Sequence, residues 1–196
     1  MQNDRAVRLF LACSVFLASC SSEKPSSLQV MVGGPYIASE AYESCTEALT
    51  AAHPQWQAGE TPVSFTSMSF GDPETDPYAG ASIAKVSAMA AAQEIDLMIC
   101  DTENAARFAR SDMFTPVQSI LSEEQLAACQ DKLLAFEKVD DEGNLTGEFT
   151  EACGIALNGN AQLDALYGDQ EYGVFLVANA DPMENAQQIF LDIAGV

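Results

Sequence analysis

The sequence predicts an α/β fold, in which a mostly parallel sheet carries helices on both of its faces. Apolar strand-like segments alternate with amphipathic helical segments along most of the chain, which is the order typical of parallel sheets with crossover helices. Residues 95–100 (IDLMIC) are apolar without alternation, as expected of a strand covered on both faces. Hydrophobic residues make up 48% of the chain and charged residues 19%, so we expect a folded domain with a sizeable core.

The first half of the domain is predicted to contain three strands, each followed by a helix. In the first helix, Ala41, Cys45 and Leu49 recur at the spacing of an apolar helical face. In the second strand, Val63 and Phe65 alternate with polar residues, which is typical of a strand. The predicted strands cover residues 28–33, 62–70 and 95–100, and the predicted helices cover residues 38–52, 79–93 and 103–111.

The middle of the chain is predicted to form one helix and then an acidic loop. Ser122 and Gln125 have the spacing of a capping box, and the helix that opens there is expected to bury one apolar stripe. That stripe consists of Leu126, Cys129, Leu133 and Phe136. Residues 137–151 are acidic and are predicted to form a loop.

The end of the chain is predicted to add a short apolar segment at 153–157, a strand at 172–178 and a last helix. Asp181 is expected to be the N-cap of that helix and Pro182 its first residue, with Glu184 closing the cap.

Charge and histidine content exclude several functions. Eight Lys and Arg residues against 29 Asp and Glu give a net charge of -21, so the chain lacks the basic surface that nucleic-acid binding requires. His53 is the single histidine, which excludes two-histidine metal motifs and argues against a His-based triad. The acidic segment 139–149 fails the EF-hand pattern, because Leu145 stands where glycine is required. No nucleophile–base constellation is visible either, so we predict neither an enzyme nor a bound metal or cofactor. Paired carboxylates for glycoside hydrolysis stay open as an alternative, since acidic residues abound and no spacing singles out a pair.

The amino terminus has the organisation of an export signal. Residues 1–8 carry Arg5 and Arg8, and residues 9–18 form a short apolar run. A helix needs about 20 residues to cross a bilayer core, so this run is typical of the h-region of a signal peptide.

The tetrapeptide Leu17-Ala18-Ser19-Cys20 at the end of this run resembles the bacterial lipobox. The resemblance implies that the Cys20 sulfur receives a diacylglyceryl group and that the chain is cut before Cys20. Two acyl chains would anchor the protein stably on the extracytoplasmic side of the cell membrane. The alternatives are a general secretory signal cut elsewhere, or a buried amino-terminal helix. The predicted organisation is a signal peptide at 1–19, a lipidated cysteine with a flexible tether at 20–27, and a single α/β domain at 28–196.

Four cysteines remain after Cys13 and Cys20 are set aside: Cys45, Cys100, Cys129 and Cys153. Outside the cytoplasm they are able to form one or two disulfides, whereas their apolar surroundings favour buried free thiols. Both alternatives stay open. Cys129–Cys153 is the preferred bridge, because it closes a modest loop.

Two stretches, residues 95–121 and 172–195, resemble parts of extracellular solute-binding proteins. In the first stretch a strand ends in Asp101, a helix follows, and the chain turns through Phe114-Thr115-Pro116-Val117. In the second stretch a strand delivers Asn179 and a helix packs back on the sheet. The resemblance implies the type 2 periplasmic-binding fold, with a single lobe or a vestigial second lobe at this length. It also implies a small solute as ligand and an ABC-transporter permease or another surface protein as partner.

In such a sheet the ligand site lies at the carboxyl ends of the strands. The candidate ligand-binding residues are Tyr36, Asp72, Asp101, Thr102, Asn158 and Asn179. Tyr36 could stack on a sugar or an amine, and Asp101 could accept from a hydroxyl or pair with an ammonium group. The alternative is structural: Asp101 and Asp181 are helix caps, and Tyr36 is half-buried packing.

The sequence therefore predicts a lipid-anchored extracytoplasmic protein that binds a small solute or docks to a surface partner. The alternative is a structural or interaction lipoprotein without a small-molecule ligand. Exposed aromatic side chains in the loops at the carboxyl ends of the strands would favour binding, and a sealed, alanine-lined surface there would favour the alternative.

Overall fold

The computed structural model describes residues 27–58, 62–71, 75–157 and 159–196. The strands within these ranges are β1 (Leu28–Gly34), β2 (Val63–Ser69), β3 (Leu97–Asp101), β4 (Leu133–Leu134), β5 (Glu137–Val139), β6 (Leu145–Phe149), β7 (Gly154–Ala156) and β8 (Tyr172–Leu176). The α-helices are α1 (Ser39–Ala52), α2 (Gln55–Ala58), α3 (Ala79–Ala91), α4 (Thr102–Ala109), α5 (Glu123–Ala128), α6 (Ala161–Tyr167) and α7 (Met183–Ala194). None of these helices is both long enough and apolar enough to span a bilayer.

Six strands form one sheet in the order β2-β1-β3-β8-β7-β4. β1 pairs in parallel with β2 and with β3. β8 pairs antiparallel with β3 and with β7, and β7 pairs antiparallel with β4. The α/β class is therefore confirmed, whereas the prediction of a mostly parallel sheet is wrong. The causes are β8, which enters the sheet between β3 and β7 in the opposite direction, and β4, which is antiparallel to β7 at the edge.

The sheet separates two apolar cores, because successive residues of a strand point to opposite faces. In β1, Val30 and Val32 contribute to the core that also contains residues of α1, α6 and α7. Met31 contributes to the core that contains residues of α3 and α4. We call these sides the α1 face and the α4 face. Helices thus cover both faces of the sheet, as predicted.

The helix predicted after Ser122 is shorter than its apolar pattern suggests. The capping box is confirmed: the Ser122 hydroxyl accepts from the Gln125 N–H, and the Gln125 side-chain oxygen accepts from the Ser122 N–H at 3.0 Å. The helix nevertheless ends at Ala128, and Leu133 and Leu134 pair with β7 in the sheet. Pairing with β7 satisfies the backbone and buries part of both leucines, so tertiary contacts override the helical spacing.

The acidic segment predicted as a loop forms a two-stranded hairpin, β5–β6, that is separate from the main sheet. Glu137 stands opposite Phe149, and Val139 stands opposite Leu145. The short helix α6, which the sequence analysis did not predict, follows β7.

The predicted cap of the last helix is wrong. α7 has Pro182 as its N-cap residue, with no side-chain hydrogen bond at the cap. The Asp181 N–H instead donates to Oδ1 of Asp96 at 3.0 Å. Asp96 is buried, with 3% of its surface exposed. Its other carboxylate oxygen accepts from the Gln29 N–H at 2.8 Å. The Asp96 carboxylate therefore fixes the entry of α7 to the start of β1.

All four cysteines of the domain are free thiols and are buried. Cys129 belongs to the core on the α1 face and Cys153 to the core on the α4 face. The sheet separates the two thiols, so the preferred Cys129–Cys153 bridge is absent. Burial raises the pKa of Cys45 and of Cys153 to about 11.

We expect these buried thiols to react only after unfolding. At pH 8, a maleimide should label Cys45 and Cys153 rapidly in denaturant without any reductant, and slowly or not at all in the native chain, as read by peptide mass spectrometry. Labelling in denaturant that required a reductant would contradict the free-thiol state. In the unfolded chain the thiols ionise near pH 8.5, whereas in the folded chain they stay neutral up to their raised pKa. Their contribution to stability is therefore complete below about pH 8.5 and is lost as the pH rises towards 11.

Candidate functional site

The carboxyl ends of β1, β2, β3 and β7 meet at one edge of the sheet. β1 is parallel to β2 and β3, and β7 runs in the same direction as β3 because each is antiparallel to β8. Of the predicted site residues that the structure describes, Tyr36 lies in the loop after β1, and Asp101 and Thr102 lie where β3 ends and α4 begins. We call this end of the sheet the carboxyl edge; its described loop residues are 35–38, 70–71, 75–78, 157 and 159–160.

Tyr36 lies at this edge and projects into solvent with 77% of its surface exposed. Its loop is held by three hydrogen bonds to the end of β2 and the residues after it. Phe70 N–H donates to Gly34 O at 2.7 Å, and Gly71 N–H donates to Pro35 O at 3.0 Å. Ile37 N–H donates to the Ser69 hydroxyl at 3.0 Å. The interpretation of Tyr36 as half-buried packing is therefore wrong.

A second exposed tyrosine, Tyr78, lies on the neighbouring loop with 74% of its surface exposed. Its N–H donates to Oδ1 of Asp76 at 2.8 Å. The Asp76 side chain fills the space where a Cβ of Gly71 would stand. Hydrogen bonds and packing thus link the backbone beside Tyr36, through Gly71 and Asp76, to the backbone of Tyr78. The sequence analysis missed this residue; the signal was a tyrosine at the end of a turn-rich loop directly before a helix.

Asp101 is the N-cap of α4, as the structural alternative predicted. Its side chain is 2% exposed and accepts from the Asn104 N–H at 2.9 Å. The Asn104 side-chain amide donates to both carboxylate oxygens, at 3.1 and 3.0 Å. Thr102 is half-buried, and its N–H donates to Glu171 O at 2.9 Å. Both residues therefore join α4 to the sheet, Asp101 through its buried carboxylate and Thr102 through its backbone N–H.

Replacing the Asp101 cap should cost stability. Asp101→Ala removes the acceptor of the Asn104 N–H, so we expect the free energy of unfolding to fall by about 1–2 kcal/mol. Asp101→Asn keeps one acceptor oxygen and should lose less. Urea unfolding monitored by circular dichroism measures both. A loss of solute binding without a loss of stability in Asp101→Ala would show instead that the carboxylate contacts ligand.

Two stacked tyrosines, Tyr167 and Tyr172, pack against the sheet near this edge. The Tyr167 hydroxyl lies 2.8 Å from Gly33 O and 2.9 Å from Ile99 O, so its single proton is shared between β1 and β3. Its ring stacks on Tyr172 with centroids 4.5 Å apart, and the Tyr172 hydroxyl donates to Asp164 at 2.7 Å. Burial raises the pKa of Tyr167 well above its ordinary value. The Tyr167 hydroxyl therefore stays neutral, and both rings belong to the buried core on the α1 face.

Asn179 does not belong to this site, which corrects the prediction. β8 runs antiparallel to β3, so its carboxyl end lies at the opposite edge, where Val177 N–H donates to Asp96 O at 2.9 Å. The Asn179 side-chain amide donates to Ala90 O at 2.8 Å and thereby ties the end of α3 to the chain after β8. Asn179 also lines a cavity of about 250 Å³ with Ser87 and Asp112, which is below the usual size of a ligand pocket, about 300–1,000 Å³.

Cys20, Asp72 and Asn158 lie outside the described residues. Across the described ranges, no group of three or more His, Cys, Asp and Glu side chains is arranged to hold a metal ion. At the carboxyl edge the described chain presents two exposed aromatic rings, Tyr36 and Tyr78, on hydrogen-bonded loops.

Comparisons with known proteins leave the family open. No protein-family model matches the sequence, and none of the curated proteins matches it. A crystal structure of iron-bound HitA from Pseudomonas aeruginosa is similar at 9% sequence identity, with a TM-score of 0.42, over 83% of this chain and 79% of that chain. At this TM-score the likeness establishes neither a shared fold nor a shared ligand.

Proposed function

We propose that this chain is a lipid-anchored extracytoplasmic protein that binds a small solute at the carboxyl edge. One observation carries the proposal: Tyr36 and Tyr78 are 77% and 74% exposed there, on two loops that are hydrogen-bonded to the sheet end or to each other. Exposed aromatic rings in these loops support binding over the alternative of a sealed surface.

The chemistry of this edge favours solutes with an apolar or cationic face. Tyrosine rings stack on the C–H faces of sugars and attract ammonium groups through their π-electrons. The chain carries a net charge of -21, which concentrates cations near its surface and repels anions. Sugars and organic amines are therefore the solute classes that we propose.

Attachment to the membrane is the second part of the proposal and rests on the sequence around Cys20. A diacylglyceryl anchor there, with a short tether, would hold the domain next to a permease or another surface partner. Mass spectrometry of the native protein tests the anchor. We expect a chain that begins at Cys20 and carries the mass of the lipid; an unmodified Cys20, or cleavage elsewhere, would contradict it.

A thermal-shift screen of the full chain in mild detergent tests solute binding. A sugar or amine at about a hundred times its dissociation constant adds roughly 2.7 kcal/mol, which should raise the melting temperature by about 5–10 °C. Tyr36→Ala and Tyr78→Ala should each reduce that shift, whereas Tyr36→Phe and Tyr78→Phe keep the ring and should retain most of it. A panel without any shift would contradict solute binding and favour a lipoprotein that interacts only with proteins.

A further inference from the structure

In the described part of the chain, the exposed large hydrophobic side chains outside the carboxyl edge lie on the β5–β6 hairpin. Among the described residues, five large hydrophobic side chains are exposed, and three of them belong to these two strands. Val139 is 37% exposed, Leu145 is 63% exposed and Phe149 is 59% exposed. We call these three residues the hairpin patch. Clustered exposed apolar side chains are typical of interaction surfaces.

Hydrogen bonds attach the base of the hairpin to the rest of the domain, while its two strands are largely exposed to solvent. Phe136 N–H donates to the Thr150 hydroxyl at 3.0 Å, and Thr150 N–H donates to Phe136 O at 2.8 Å. The Arg110 side chain donates to Glu137 O at 2.8 Å. Because β5 and β6 form a sheet of their own, the outer edge of β6 has no neighbouring strand within the described chain. An exposed strand edge readily pairs with an extended peptide.

The charges around the hairpin patch indicate what kind of partner fits. Between residues 137 and 151 the chain carries six carboxylates and one cation, Lys138. The carboxylates are Glu137, Asp140, Asp141, Glu142, Glu148 and Glu151. A second copy of this chain would bring the same charges against them, and an anionic lipid surface would also be repelled. A partner with alternating basic and apolar side chains would cover the patch and neutralise the carboxylates together.

We propose that the β5–β6 hairpin is a docking site for an extended, basic, amphipathic segment of another protein, which adds along the outer edge of β6. Its apolar side chains would pack on Leu145 and Phe149, and its Lys or Arg side chains would face the carboxylates. This site is separate from the carboxyl edge, so the proposal does not depend on solute binding there.

Fluorescence anisotropy with two labelled synthetic peptides tests the proposal on the full chain. The probe is a ten-residue peptide of alternating lysine and valine, and its control alternates lysine and serine at the same charge. We expect the Lys-Val peptide to bind at least roughly tenfold more tightly, because each large apolar side chain covered in a complex contributes about that factor. Equal binding of the two peptides would overturn the proposal, since charge alone would then explain it.

Substitutions locate the site. L145S and F149S should each weaken binding of the Lys-Val peptide by roughly tenfold, whereas Leu145→Ile and Phe149→Leu should retain it. Glu148→Gln with Glu151→Gln should also weaken it, while the matched pair Glu40→Gln and Glu43→Gln, exposed on α1, should have little effect. Unchanged thermal melting of each variant excludes unfolding as the cause.

Two further outcomes would assign the patch to another occupant and overturn the proposal. In sedimentation-velocity runs, a dimer of the native chain that L145S and F149S abolish would identify a second copy. Co-sedimentation of the Cys20→Ser chain, which cannot carry the lipid anchor, with phosphatidylcholine vesicles would identify the membrane if the same variants abolish it. Absence of both, with peptide binding that depends on the hairpin patch, is the result that we expect.

Discussion

Phe175→Ala should lower the free energy of unfolding by about 4 kcal/mol, since truncating a buried phenylalanine typically costs about 3–5 kcal/mol. Phe175 lies in β8 at the centre of the sheet and has no exposed surface. Its ring stacks on Phe114 with centroids 4.7 Å apart, and its centroid lies 6.1 Å from that of the Phe136 ring. The truncation would remove the ring that joins these two aromatic residues on the α4 face.

The neighbouring glycine provides a second way to check this packing. A Cβ at Gly154 would overlap the Phe175 ring, so Gly154→Ala alone should cost about 1–3 kcal/mol through overpacking. In the Phe175→Ala background the ring is absent, and the same substitution should cost much less. This non-additivity is measurable as a double-mutant cycle by urea unfolding.

The matched control is Phe149→Ala, because Phe149 is 59% exposed on the hairpin. We expect a change within about 0.5 kcal/mol there. Equal losses at positions 149 and 175 would show that the ring of Phe175 is not buried as described.

Asp96→Ala should lower the free energy of unfolding by about 3 kcal/mol. Its two oxygens accept from the backbone N–H groups of Gln29 and Asp181, and each hydrogen bond to a buried charge contributes about 1.5–3 kcal/mol. Asp96→Asn should restore only part of the loss, since its amide nitrogen would face one of the two donors. Asp131→Ala, at an exposed carboxylate, should change stability by less than about 0.5 kcal/mol. Chemical denaturation of the three variants measures these losses of stability. An Asp96→Asn variant as stable as the native chain would contradict the prediction.

Local patterns predicted most of the helices and central strands correctly. Continuous apolar runs marked β3 and β8, whose residues are buried throughout, and helical spacing marked α1 with its buried Cys45 and Leu49. Strand direction was not predictable in this way. A strand buried on both faces has the same composition whether it runs parallel or antiparallel, so the orientation of β8 depends on distant pairing.

Two misassigned segments lacked the pattern that identifies their structure. β6 is exposed along its whole length. Because neither of its faces is buried, apolar and polar residues do not alternate along it. Conversely, Leu133 and Leu134 continued a helical spacing but pair with β7, because burial in the sheet outweighs a local preference.

The positions of Tyr36 and Asp101 at the carboxyl edge were predictable because they depend on β1 and β3, whereas the position of Asn179 was not, because it depends on β8. Tyr36 and Asp101 both lie near the predicted edge, although Asp101 serves α4 as its cap. Asn179 was placed with them on the assumption of a parallel sheet and lies at the opposite edge. Tyr78 had no motif of its own, since its position follows from loop contacts that no local pattern encodes.

The central position of β8 also determines the order in which the sheet can be completed. A chain that leaves a ribosome or a translocon begins with its amino terminus, so β1, β2, β3 and β7 emerge before residues 172–176 do. Until then the sheet exists as two halves, with the facing edges of β3 and β7 unpaired. Unpaired strand edges are where chains associate wrongly. Completion of the sheet therefore waits until β8 emerges, and until then the edges of β3 and β7 are open to wrong pairing.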